Sequence, residues 1–166
     1  MNYRTGSTND LDQLRELGLK SWSQYKGDLT EKNWNKLFAS LDNYDTYLEL
    51  LEKSDCIVCE NDTKEIIGMA FLVPSGNPNE IYDAAWCHLR FVSVDPKYRG
   101  NSIGKKLTEQ CIDLAIKNDE KVMALHTSEI MKNARHIYEQ IGFKVLKEIN
   151  PRLGVKYWLY TLELNN

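Results

Sequence analysis

Apolar positions recur at a helical period through the first third of the chain and at a strand period after it. From Asp10 to Tyr25, Leu11, Leu14, Leu17, Gly18 and Trp22 fall near helical spacing, with Ser7, Thr8, Asn9 or Asp10 available as the cap. Gly27-Asp28 ends that helix. Trp34, Leu37, Phe38 and Leu41 then mark a second helical face, which Tyr44, Tyr47, Leu48 and Leu51 continue past a kink at Asn43. The period changes at Cys56. Cys56–Glu60 and Ile66–Val73 flank a polar turn and predict an antiparallel hairpin. Pro74-Ser75-Gly76-Asn77-Pro78-Asn79 is the strongest loop signal, and Cys87–Val94 is the next strand. A helical stripe through Ile103, Leu107, Cys111 and Ala115 ends near Asn118, and Lys121–His126 reads as a strand. Ile130, Ala134, Ile137, Tyr138 and Ile141 form a further helix stopped by Gly142. Phe143–Ile149 and Val155–Leu164 are the last two strands, and a first one is read at Tyr3–Gly6.

The resulting order is strand, two helices, three strands, helix, strand, helix, two strands, which predicts a mixed α/β fold. At 166 residues, without repeats or linkers, one domain over residues 1–166 is expected. The start MNYRTGSTNDLDQL has no apolar signal core and no apolar run reaches spanning length, so cytoplasmic residence without membrane association is expected. A net charge of −3 argues against a nucleic-acid partner. Cys56 and Cys59 form a CxxC, but an offset of three along a strand sends the two side chains to opposite faces. With no second pair and no nearby His, all four cysteines, Cys87 and Cys111 included, read as buried thiols and no metal site is expected.

The stretch HLRFVSVDPKYRGNSIGKKL carries the chemistry. A strand runs through Pro96 and a Gly-containing turn into a helix, so the free N–H groups and dipole of the helix start are presented to an anion. Lys97, Arg99, Lys105 and Lys106 add four positive charges with no acid between them, on a chain that is acidic overall. The spacing matches neither a Walker loop, since Gly100 and Gly104 enclose three residues instead of four, nor the three glycines of a dinucleotide fingerprint.

This stretch, followed by MKNARHIYEQIGFK, resembles the GNAT superfamily of N-acetyltransferases. The family shows an Arg/Gln-x-x-Gly-x-Gly/Ala turn after a V-x-P strand end, then N-x-x-A-x-x-x-Y-x-x-x-G-F about thirty residues on. Arg99-Gly100-Asn101-Ser102-Ile103-Gly104 fills the turn, with Ser102 standing where the family has its first glycine. Asn133, Ala134, Tyr138, Gly142 and Phe143 are read into the second segment. The resemblance implies a central, mostly antiparallel mixed sheet of about seven strands flanked by four helices and splayed between the strands ending near Val94 and His126. It also implies acetyl-CoA as co-substrate. The pyrophosphate would lie on N–H groups of Gly100, Asn101, Ser102, Ile103, Gly104 and Lys105 beside Arg99, the pantetheine along Val92, Ser93 and Val94, and Asn133 would reach the arm.

The implied reaction is direct attack of a primary amine, on a small molecule or a peptide, on the thioester. Tyr138 matches the family's acid for the departing thiolate. A base must also remove the amine proton, because amines of the Lys type are protonated at neutral pH. His88 is the candidate, six residues before Val94, with Glu80, Asp83, Glu129 or a water chain as competitors and His126 near the same cleft. The acidic body favours a cationic acceptor, such as a polyamine, an aminoglycoside or a Lys side chain. Its pocket is expected from the first two helices, the loop at 74–86 and the last hairpin. A non-catalytic acyl-CoA sensor is the alternative, and the Tyr157–Tyr160 run offers an edge for a homodimer.

Overall fold

The computed structural model describes residues 1–165, and the change of period is the border between an N-terminal helical layer and the sheet. The elements run β1 (Asn2–Thr5), α1 (Leu11–Trp22), α2 (Glu31–Asp42), α3 (Tyr44–Lys53), β2 (Asp55–Glu60), β3 (Ile66–Val73) and β4 (Cys87–Val94). They continue with α4 (Ile103–Lys117), β5 (Val122–Ser128), α5 (Lys132–Ile141), β6 (Lys144–Arg152) and β7 (Val155–Glu163). Five helices stand where four are expected, because Asn43 breaks the second stripe instead of kinking it. Its backbone is extended (φ −85°, ψ 119°), and its side chain accepts from the Asp45 N–H at 3.0 Å, so it ends α2 and caps α3.

The seven strands form one mixed sheet in the order β1-β2-β3-β4-β5-β7-β6, and β4–β5 is its parallel pair. Each face carries its own core. Leu14, Leu17, Tyr47 and Leu50 of α1 and α3 pack on Cys56, Val58, Met69 and Phe71. On the other face Ile103, Leu107, Cys111 and Ala115 of α4, with Tyr138 of α5, pack on Cys59, Ile67, Leu72 and Leu125. The CxxC is therefore divided between the two cores, one free, buried thiol on each side. At Gly68 a Cβ would come within 2.7 Å of Ile103 Cγ2, so its bare Cα lets the first turn of α4 lie directly on the sheet.

One expectation fails here. The Tyr157–Tyr160 run is in β7, which is hydrogen-bonded to β5 on one side and β6 on the other. The edges of the sheet are β1 and β6, so that run has no free edge for a second copy.

Candidate active site

The site begins where two strands part. β4 and β5 are in register only at Cys87–Met123 and His88–Ala124, and beyond that pair the strands separate. A bulge in β4 enforces the divergence. Ala70 alone lies between Met69 and Phe71 on β3, whereas Phe91 and Val92 both lie between their partners Arg90 and Ser93. Phe91 sits at φ 52°, a conformation that is strained for a bulky side chain. Rings of Tyr47 at 5.8 Å, Trp22 at 6.3 Å and Phe71 at 6.4 Å hold it there. The β5-facing backbone of Val92, Ser93 and Val94 is thereby left without a strand partner.

The turn after β4 leads straight to a bare helix start. Asp95 accepts from the Lys97 N–H at 2.9 Å and closes a short 3-10 turn over Pro96–Tyr98. Gly100 takes φ 81°, and Asn101 Nδ2 donates to the Tyr98 carbonyl at 2.9 Å. Ser102, the departure from the family pattern, is the N-cap of α4 in the left-handed region (φ 58°, ψ 22°), and its hydroxyl caps nothing. This is the conformation a glycine adopts without strain. The first helical hydrogen bond is from the Lys106 N–H to the Ser102 carbonyl, so Ile103, Gly104 and Lys105 present N–H groups with no helical acceptor. At Gly104 a Cβ would approach nothing closer than Val94 Cγ2 at 3.7 Å, which leaves an open cradle between the helix start and the end of β4. Lys105 is exposed near Glu109, and Arg99 donates to Gln24.

Between the parted strands lies a cavity of about 530 Å³. Leu89–Val92 of β4 and Leu125–Thr127 of β5 form its floor, and Met131, Ala134 and Tyr138 of α5 one wall. Trp22 at the end of α1, Tyr25 in the turn after it, Lys36, Leu37, Ser40 and Leu41 of α2, and the β6–β7 hairpin around Arg152 close the rest. Tyr138 is 7% exposed, its ring meets Phe143 edge-on, and its hydroxyl makes no hydrogen bond among the described residues. Burial raises its pKa, so the phenol keeps its proton.

Two predicted site residues lie elsewhere. His88 is 3% exposed, stacked flat on Tyr82 (3.9 Å between centroids) and absent from the cavity lining. Burial lowers its pKa to about 4, and its Nδ1 has no hydrogen-bond partner among the described residues. The histidine in the cavity is His126, whose Nδ1 is 2.5 Å from the Tyr82 hydroxyl. Burial, with Arg90 and Arg152 contributing, lowers its pKa to about 3, so it is neutral at physiological pH. Asn133 is exposed and does not line the cavity. Met131, Ala134 and Tyr138, at offsets of three and seven, share one helical face, whereas a residue five before Tyr138 falls on another. The family spacing, counted three back from Ala134, reaches Met131, and that count in the sequence would have found it.

The cavity's charge is opposite to that of the chain. Lys36, Arg90 and Arg152 line it and no Asp or Glu does, which contradicts the expected preference for a cationic acceptor. Net charge describes the whole surface, whereas a ligand meets the groups lining its pocket. The loop at 74–86 also does not reach the lining. Its Tyr82 packs behind the floor, between His88 and His126. Of the competing bases, Glu80 pairs with Arg152 at 3.6 Å and Glu129 accepts from the Lys156 N–H, and neither they nor Asp83 line the cavity. Among the described residues no group of three or more His, Cys, Asp or Glu could hold a metal ion, and no helix is long and apolar enough to cross a membrane.

Comparison with known proteins agrees with this geometry. The family model described as "Acetyltransferase (GNAT) family" matches residues 11–143. An uncharacterized N-acetyltransferase of Methanocaldococcus jannaschii is 28% identical over 94% of this chain and 63% of its own length. The "Probable N-acetyltransferase camello" of Xenopus tropicalis is 36% identical over 45% of this chain and 34% of its own length. The chain thus matches only about a third to just under two thirds of these relatives' own length. Among solved structures, the PaiA N-acetyltransferase of Thermoplasma acidophilum in complex with coenzyme A aligns at a TM-score of 0.80. The two chains are 19% identical, with 98% of each covered.

Proposed function

The chain belongs to the GNAT acetyltransferase family, and from that premise we propose that it moves an acetyl group from acetyl-CoA to a primary amine by direct attack. The observation that carries this reading is the convergence on one cavity of an unpaired strand edge and a buried phenol with a free hydroxyl, beside an uncapped helix start. The residues present fit acetyl-CoA. The N–H groups of Ile103, Gly104 and Lys105 suit the pyrophosphate, and the main-chain groups of Val92, Ser93 and Val94 suit an amide-bearing arm. Acetyl-CoA supplies an activated acyl group on a thiol leaving group.

In the tautomer that carries its proton on Nδ1, donated to the Tyr82 oxygen, His126 keeps the Nε2 lone pair for the amine proton. A backbone N–H in the 91–94 segment donates to the carbonyl oxygen as negative charge develops there. Tyr138 gives its proton to the thiolate, which at a pKa comparable with Cys is a moderate base. One C–N bond forms and one C–S bond breaks; of the two protons the ammonium group loses, one leaves through His126 to solvent and the other balances the one that Tyr138 passes to the thiolate. Two coupled measurements test the reading, thermal stabilisation by acetyl-CoA and release of free thiol in the presence of primary amines. Stabilisation with thiol release supports it. Stabilisation without release from any amine would instead make the chain an acyl-CoA sensor.

A further inference from the structure

Arg90 lies on the floor of the cavity beside the bulge, half-buried, and forms no hydrogen bond or ion pair among the described residues. Its guanidinium carbon lies over the Phe91 ring, 5.9 Å from the centroid. A guanidinium drawn partly out of water without a hydrogen-bonded anion is costly, and the fixed fork of donors on an Arg that lines a cavity is matched to a planar anion. Arg152 enters the same cavity from the β6–β7 hairpin, 44% exposed and 3.6 Å from Glu80, an acid that is itself outside the lining. Lys36, on α2, adds a third positive charge to the lining, and among the described residues no carboxylate joins it there. His126 shares the floor with Arg90, which places the anion site next to the proposed proton acceptor.

We propose that the acceptor is an amine that also carries a carboxylate, held by Arg90 with Arg152, so that its amino group is delivered to His126. This rests on the acetyltransferase reading above and narrows it to a substrate class. The carboxylate would accept a two-pronged bond from Arg90, the strongest hydrogen-bonded pairing of this kind. It would also put a negative charge beside His126, raising the basicity of that imidazole when substrate is present. Polyamines and aminoglycosides would meet three like charges and are disfavoured.

The test compares free amino acids with their C-terminal amides as acceptors for acetyl-CoA. Spermidine and tobramycin serve as cationic probes, and phosphoethanolamine against ethanolamine as the phosphate probe. Calorimetry of the amino acids on the acetyl-CoA-loaded protein is run alongside. The acids are expected to show KM values about tenfold to a hundredfold below those of their amides, as the loss of a charged hydrogen-bonded pair implies. Arg90→Gln should erase most of that advantage, and Arg90→Lys should restore only part of it. Equal use of acid and amide, a preference for the polycations, or an advantage confined to phosphoethanolamine overturns the proposal. Transfer to cationic amines alone leaves the acetyltransferase reading standing while removing this one. Binding of amino acids without transfer keeps the carboxylate site at Arg90 but removes the acetyltransferase reading and the acceptor role with it, and neither binding nor transfer overturns both.

Discussion

In the proposed reaction Tyr138 and His126 divide the proton transfers between them, and their burial sets the protonation state in which each begins. Removing the Tyr138 hydroxyl leaves the ring on Phe143 and the packing intact, so Tyr138→Phe isolates chemistry from stability. General-acid help of this kind contributes about 10²–10⁴-fold, and single-turnover transfer should fall by that much with acetyl-CoA affinity unchanged. A Phe variant with full single-turnover rate would return Tyr138 to a packing role. The histidines make a second prediction, about stability. Both His88 (about 4) and His126 (about 3) have folded pKa values below the ordinary 6.5, so between pH 6.5 and those values the unfolded chain binds protons that the native one does not. Stability must therefore fall as pH drops through that window, by up to about 1.4 kcal/mol per pH unit for each histidine. Thermal melts from pH 7 to pH 4 should show this slope, and replacing both histidines with Asn should flatten it relative to the parent. At this scale the sequence was only partly legible. Tyr138 could be read from its spacing to Gly142 and Phe143. Which histidine faces the cavity depends on where β4 and β5 part, a long-range fact that no local pattern carries.

Elements place these residues, and β4 with α4 do most of it. The bulge at Phe91 and Val92 frees the strand edge, while contact across Gly68 seats the helix start beside that edge. Because a Cβ at Gly104 meets only ordinary contacts, at 3.7 and 3.9 Å, Gly104→Val should fold and keep its melting temperature within a few degrees. Its isopropyl group would fill the cradle where a phosphate approaches the N–H groups, so stabilisation by acetyl-CoA should vanish. Full stabilisation in a folded variant would move the anion site elsewhere. Ser102→Gly makes the contrasting case, since it relieves a left-handed backbone (φ 58°) and should bind acetyl-CoA at least as tightly as the parent. Element types and order were legible because apolar period distinguishes helix from strand, as in the match of Ile66–Val73 and Cys87–Val94 to β3 and β4. The break at Asn43 was only half legible, because a capping residue in mid-stripe serves a kink and a new helix equally well. The Phe91 bulge left no local mark, since its strain is sustained by rings from α1, β3 and α3.

The whole molecule sets a basic cavity in an acidic protein, and two signals that agree in sequence come apart in space. The net charge of −3 pointed to a cationic acceptor, while the fold gathers Lys36, Arg90 and Arg152, far apart in the chain, around one space without acids. Such a grouping exists only once the sheet order and the hairpin position are known, so composition could not reveal it. What joins the scales is the parting of β4 and β5, which opens the cavity, bares the strand edge and brings Tyr138 to its wall. A crystal structure determined with acetyl-CoA tests that claim most directly. The pyrophosphate is expected on the N–H groups of Ile103–Lys105, with the pantetheine arm paired with Val92–Val94. The thioester should then lie between β4 and β5, with the sulfur within hydrogen-bond reach of the Tyr138 hydroxyl. A thioester lodged outside that gap, or a Tyr138 hydroxyl turned away from the sulfur, would contradict it.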